Sequence, residues 1–301
     1  MYDLIAIGNP VYDEIITPYI RTEGRVLSGG STNACLVAKK LGVEHVALIG
    51  CIGKDYESQF KVHMAKYGVE LPQIKISENT GGFRLNYDIH GDRELSIIGV
   101  AGNISTEDIP HKCLDAKFIL IAPILQEVDL ELIQFLSKNS TATLFLDPQG
   151  LIREIGDNDR IVKTCNRRLA AEFTSLVDVV KPNEIESVVL THLEDPYMAA
   201  KQLVEWGTKI SIVTLAERGS IISDGKSFIK IPAYQTIARD PTGAGDTYAG
   251  AFIAEQLRLK SLFDCGLFAS AAASIKVEYT GPDFPLTKEE ITRRAHKINF
   301  T

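Results

Sequence analysis

The sequence predicts an α/β fold, with three layers (α/β/α) around a mostly parallel central sheet and a small β-sheet lid. Three observations predict it. Short apolar runs alternate with helical patterns through most of the 301 residues, the mark of a parallel sheet covered by helices on both faces. Residues 4–8 and 46–52 are apolar almost throughout, as strands buried on both faces are. Residues 80–98 break the rhythm, because Phe83, Leu85, Tyr87 and Ile89 alternate with Arg84, Asn86 and Asp88, the pattern of a half-buried strand.

In chain order, 4–8 is the first strand. Residues 14–27 hold Pro18 and Gly24 and alternate poorly, so they read as extended chain or a short hairpin. Ser28-Gly29-Gly30-Ser31 is a tight loop feeding a helix that closes at Gly42. The strand 46–52 leads through Gly53-Lys54-Asp55 into a helix over 56–67. The strand from Thr80 turns at His90-Gly91-Asp92-Arg93 and returns over 95–98. That hairpin and the chain after the first strand form the lid, about 11–28 and 80–99. Strands follow at 118–122, 143–146, 177–180 and 210–215, with helices at 128–138, 161–173 and 196–206. Residues 221–224 and 228–231 make a hairpin about Asp224-Gly225. Helices over 244–257, 262–275 and 288–297 finish the chain, the last opened by a capping box of Thr287 and Glu290. No repeat or low-complexity linker divides residues 1–301.

The bulk numbers exclude several classes of function. The net charge is −7 and the pI about 5.5. No basic surplus exists to neutralise nucleic acid or an anionic membrane, so neither is expected as a partner. The five cysteines are scattered and odd in number, without a Cys-x-x-Cys pair. They read as small buried residues in a reducing cytoplasm, not as a disulfide framework or zinc site. The six histidines show no ligand spacing. No apolar run approaches a membrane span and no signal peptide precedes the first strand, so a cytoplasmic protein is expected.

The chemistry concentrates in Asp240-Pro241-Thr242-Gly243-Ala244-Gly245-Asp246, a small-residue loop that opens a helix. The first turn of a helix leaves N–H groups unpartnered, and its dipole adds positive charge there. A phosphate can approach the amides of Gly243, Ala244 and Gly245 closely, with Asp246 within reach. Amides for an anion beside a carboxylate suit phosphoryl transfer to a hydroxyl whose proton the carboxylate accepts. By itself the stretch reads equally well as a loop and helix cap. Asp13 follows the end of the first strand, where ligands of open α/β sheets gather. Gly29 and Gly30 let backbone approach a ligand, and Asn33 carries donors and an acceptor suited to vicinal hydroxyls. Lys181-Pro182-Asn183-Glu184-Ile185-Glu186, Thr214-Leu215-Ala216-Glu217-Arg218-Gly219 and Thr280-Gly281-Pro282 stand at or near the ends of further elements.

Taken in order, these pieces resemble the ribokinase-like sugar kinases, the PfkB carbohydrate kinase family, over nearly the whole chain. The resemblance implies a single ribokinase-like catalytic domain and an ATP-dependent kinase that uses Mg2+ on a sugar, nucleoside or cyclitol. Asp246 matches the general base, and Gly243, Ala244 and Gly245 the anion hole. Asp13, Gly29, Gly30 and Asn33 match substrate-binding positions, to which Gln126 is added as a sugar contact from beyond the 118–122 strand. Asn183 and Glu186 match the motif that organises the nucleotide phosphates and Mg2+, the latter through water. Thr214 and Gly219 match the nucleotide loop, and Gly281 a wall of the base pocket. Asp240 and Thr242 match a region that binds a monovalent cation such as K+.

This chain departs from the family pattern at Ala216 and Ser58, where glycine is common, and at Pro241, where threonine is. The lid arginines Arg25, Arg84 and Arg93 read as solvated charges, with a phosphate on the substrate as the other use for them. An exposed β lid also offers edges through which a homodimer could form. The competing reading is a ligand-binding or regulatory protein on the same scaffold with little catalysis. A dinucleotide-dependent oxidoreductase fails, because Gly8-Asn9-Pro10-Val11 lacks Gly-x-Gly-x-x-Gly before a helix.

Overall fold

The computed structural model describes residues 1–89 and 93–298. Within them the chain runs β1 (Leu4–Ile7), β2 (Val11–Ile16), β3 (Val26–Ser28), α1 (Gly30–Lys40), β4 (Val46–Gly53), α2 (Glu57–Tyr67), β5 (Glu70–Ser77), β6 (Gly82–Tyr87) and β7 (Arg93–Gly99). It continues with β8 (Phe118–Ile121), α3 (Leu130–Asn139), β9 (Thr143–Leu146), β10 (Arg153–Ile155), β11 (Ile161–Lys163), α4 (Arg167–Ser175), β12 (Val179–Val180) and α5 (Glu184–Thr191). It ends with α6 (Pro196–Glu205), β13 (Ile210–Thr214), β14 (Ser220–Ser223), β15 (Phe228–Ile231), α7 (Ala244–Gln256), α8 (Leu262–Lys276) and α9 (Lys288–Ala295).

The central sheet has the order β15-β14-β13-β12-β9-β8-β1-β4-β5. All neighbours from β13 to β5 are parallel, and β14 and β15 add an antiparallel edge. Alternation along β1 divides the core. Leu4 and Ala6 face the cluster built with α1, α2, α7 and α8, whereas Ile5 and Ile7 face the cluster built with α3, α4 and Leu203 of α6. The lid is a four-stranded sheet, β3-β2-β6-β7, with the β2–β6 pair parallel and the others antiparallel. Its inner residues Val11, Ile15, Phe83, Leu85 and Leu95 pack with Ile124 at the rim of the main sheet. Gly53-Lys54-Asp55 anchors the lid, since Asp55 Oδ1 accepts from both Thr80 N (2.9 Å) and Thr80 Oγ1 (2.6 Å).

The expected alternation and lid are present, with four corrections. Residues 161–173 are not one helix. Ile161 and Val162 belong to β11, which pairs with β10, and Asn166 caps the shorter α4 through Arg168 N (2.8 Å). Strand β5 was not expected, because it is a half-exposed edge strand and Pro72 falls where its register against β4 shifts. Helix α5 was also missed; Asn183 and Glu186 form its capping box. The box at Thr287 is only half made: Thr287 accepts from Glu290 N, while the Glu290 carboxylate goes to Arg293 and Arg294. Of the turn read at 90–93, residues 90–92 lie outside the described residues. No described helix is long and apolar enough to cross a membrane.

Candidate active site

A cleft of about 880 Å3 lies between the carboxyl ends of the parallel strands and the lid. It brings together Asp13, Gly29 and Gly30 from one end of the sequence, Asn183, Glu186, Thr214 and Gly219 from the middle, and Thr242 to Asp246 from the last third.

The core of the site is the convergence of two helix N-termini. Gly243 is the N-cap of α7 with φ 79°, a left-handed conformation that a side chain resists, and Asp246 stands in the first turn. Asn33, one turn into α1, donates through Nδ2 to Asp246 Oδ2 at 2.8 Å. The helices meet this closely because Gly250 has no side chain; a Cβ there would lie 2.6 Å from the carbonyl oxygen of Ala34. Asn33 therefore orients the carboxylate from behind and does not itself line the cleft. Lys181 lies beneath the loop: its Nζ is 3.4 Å from where a Cβ on Gly245 would stand. It pairs with Asp147 at 2.8 Å, and both side chains are almost wholly buried. Burial opposes the charge on Lys181, yet the Asp147 carboxylate holds its pKa above the ordinary lysine value.

Asp13 sits on lid strand β2, 3% exposed, and accepts from Phe83 N at 2.8 Å. Burial pushes its carboxyl up to about 6. Gly30 is confined by Gln149, whose Nε2 would be 2.8 Å from a Cβ there. At the other end, Asn183 accepts from Glu186 N (2.9 Å) and Glu186 Oε2 accepts from Asn183 N (3.0 Å). This reciprocal cap fixes both residues at the start of α5. Gly219 has φ 94° and packs so tightly that a Cβ would lie 1.9 Å from Ile231 O. Ala216 also has a positive φ, 51°. That explains why glycine suits its place, and holding alanine there costs roughly 1–2 kcal/mol. Ser270, Ala273, Ser274 and Val277 of the α8 region add a wall beyond this loop.

Besides Asn33, three expected site residues do not line the cleft: Gln126, Gly281 and Asp240. Gln126 is exposed, with φ 57°, and its amide donates to Gly150 O, so its side chain points away from the lining. Gly281 is not among the lining residues and has open space around it. Asp240 is fully buried behind the loop; Oδ1 accepts from Thr242 N (2.9 Å) and Oδ2 has no hydrogen-bond partner. Lys276, also buried, reaches to 4.0 Å of that oxygen while its Nζ donates to Tyr279 O at 2.8 Å. Of the lid arginines, Arg25 braces the backbone carbonyls of Tyr12 and Gly81, Arg84 pairs with Glu14, and Arg93 lines the cleft. Sequence reading gave no role to Gln149, Arg153, Lys163 or Lys181, all of which line it. Only Lys181 lay inside a stretch already singled out. Among the described residues no group of three or more His, Cys, Asp or Glu could hold a metal.

Residues 6–289 match the family described as pfkB family carbohydrate kinase. The cytidine kinase of Thermococcus kodakarensis is 30% identical over 272 residues, 88% of this chain and 92% of that protein. Among solved structures, a pyrophosphate-dependent kinase in the ribokinase family superposes with a TM-score of 0.81 at 23% identity, covering 96% of this chain and 99% of the other. An E. coli protein solved with ATP and Mg2+ gives 0.79 at 20% identity, covering 99% and 100%.

Proposed function

The chain belongs to the pfkB family of carbohydrate kinases, and from that premise we propose that it moves the γ-phosphoryl group of ATP to a hydroxyl of a sugar, nucleoside or cyclitol. One observation carries this reading: a single cleft holds the Gly243–Gly245 amides with Asp246 between Asp13 and Gly30 on one side and Asn183, Thr214 and Gly219 on the other. The acceptor lies under the lid against Asp13, Gly29 and Gly30. The donor lies along Thr214, Gly219 and the α8 wall. As the acceptor oxygen bonds to phosphorus, its proton passes to Asp246 and the donor's bridging P–O bond breaks toward the leaving diphosphate. The amides at the head of α7 receive the negative charge of the transferring group. Mg2+ neutralises the donor's phosphates when bound. Glu186, which lines the cleft and is held at the head of α5 by its cap with Asn183, is the acid that would hold this metal, through water. Closing the lid excludes water that would otherwise take the phosphoryl group.

Pyrophosphate is the second donor to weigh, because a pyrophosphate-dependent kinase shares the fold. The wall of Ser270, Ala273 and Val277 supports ATP, because it offers a surface for a base that pyrophosphate lacks. The test is purified protein with Mg2+ and either donor across pentoses, hexoses, nucleosides and inositols. Acceptor-dependent release of ADP is the expected result. Tight acceptor binding with no transfer from either donor would favour the non-catalytic reading.

A monovalent cation fits poorly at Asp240 and Thr242. Lys276 already presents an ammonium there, bonded to the carbonyl of Tyr279 and facing the unpartnered oxygen of Asp240. A second cation beside it meets like-charge repulsion. Exchanging KCl for choline chloride is therefore expected to move neither the turnover nor the Tm. Lys276→Met is expected to lower kcat by at least about tenfold and to make the Tm rise on addition of KCl. A strong KCl requirement in the unaltered protein refutes this assignment.

A further inference from the structure

Four cationic side chains line the cleft: Arg93, Arg153, Lys163 and Lys181. Lys181 is matched by Asp147. The other three converge from two separate pieces of chain. Arg93 is the first residue of lid strand β7, and Arg153 and Lys163 are directly opposite each other on the β10–β11 hairpin. Lys163 has only a loose partner, Glu186 at 3.9 Å. Among the described residues neither Arg93 nor Arg153 has a carboxylate within ion-pair distance; Arg93 Nη1 donates to the Tyr87 hydroxyl at 3.3 Å.

Arg153 is the most telling of the three. It is 3% exposed, its Nη1 donates to Ile124 O (3.1 Å) and its Nη2 to Gln149 Oε1 (2.7 Å), and its Nε has no partner at all. A buried charge without an ion-pair partner is costly. Burial pulls Lys163 below the ordinary lysine pKa against the pull of Glu186, and Arg93 and Arg153 add to the lowering. Such mutual repulsion in a cleft is relieved when an anion enters.

The position of the cluster says which reactant carries that anion. Gln149, the partner of Arg153, presses on Gly30, and the Arg153 guanidinium lies 5.6 Å from the ring of Phe83, whose amide is bonded to Asp13. These contacts place Arg153 at the acceptor end, while Lys163 faces Glu186 toward the donor end. Resting on the kinase reading above, we propose that the acceptor is itself an anion, a polyol bearing a phosphate or carboxylate group held by Arg93, Arg153 and Lys163 while a free hydroxyl faces Asp246. Arginine's planar fork suits either group, and neutral sugars would leave Arg93 and Arg153 without an ion-pair partner.

The test compares each neutral pentose and hexose with its 1-phosphate, its terminal phosphate and its aldonate, at saturating ATP and Mg2+. One anionic acceptor is expected to exceed its neutral counterpart in kcat/KM by about 10- to 100-fold, the value of a charge-assisted hydrogen bond or two. The phosphate and aldonate arms separate the two sources of charge. Arg153→Met is expected to collapse that preference while the KM for ATP stays within about threefold. Arg153→Lys and Arg93→Met, with Tm measured alongside, serve if the first variant does not fold. Preference for neutral acceptors, or an increase confined to the KM for ATP, overturns the inference and leaves the kinase reading standing. No transfer to any acceptor overturns both.

Discussion

Asp246→Asn should fold with a Tm within a few degrees of the parent and lose about 10²- to 10⁴-fold in kcat, the range that a general base contributes. The substitution keeps the size of the side chain and an oxygen that can still accept from Asn33 Nδ2. It removes a negative charge from the first turn of α7, which costs only about 0.3–1 kcal/mol of stability. What it abolishes is the capacity to take the hydroxyl proton. Because the amides of Gly243 to Gly245 and the proposed acceptor contacts at Asp13 remain, KM for the acceptor should change far less than kcat. Steady-state kinetics with the best acceptor measure this directly. A variant that retains kcat within about tenfold would remove Asp246 from the role of base.

Lys181→Met should destabilise the protein by about 3–5 kcal/mol, because it leaves Asp147 charged and unpaired in the interior. The double variant Lys181→Met/Asp147→Leu should recover most of that loss, since two apolar side chains of similar volume replace the pair. Activity should not recover with it. Lys181 lies under Gly245, where on the proposed mechanism the transferring phosphoryl group gathers charge, so the repacked protein should keep its fold and lose electrostatic support there. Denaturant melts and kcat on the same three proteins separate the two effects. A single variant that loses less than about 1 kcal/mol would mean that the pair is solvated or dispensable.

Much of this was legible in the sequence because the signals were local. Buried parallel strands declared themselves as apolar runs, the lid as strict alternation about Phe83 and Leu85, and the anion loop as Gly243-Ala244-Gly245 before a helix. What escaped was information created by tertiary contact. Pro72 and a polar edge hid β5, and the β10–β11 hairpin is short and packs on the lid instead of the sheet. Arg153 and Lys163 carry no pattern of their own; they become neighbours only when that hairpin closes. Asn183 and Glu186 were legible as a motif, but their mutual cap was not read as the start of α5. Gln126 followed a strand end as binding residues do, and its left-handed backbone turned it outward. Asp240 was legible as a carboxylate beside the loop, but the lysine that comes from the end of α8 to face it was not.

The bond from Asn33 to Asp246 joins residues 213 positions apart, and Gly250 against Ala34 sets the approach that allows it. The first two-thirds of the chain therefore carry Asp13, Gly29 and Gly30 but neither Asp246 nor the Gly243–Gly245 turn. The Asn33–Asp246 bond exists only where α7 is docked on α1. The candidate site is thus assembled from both ends of the sequence, and its geometry depends on how α1 packs against α7.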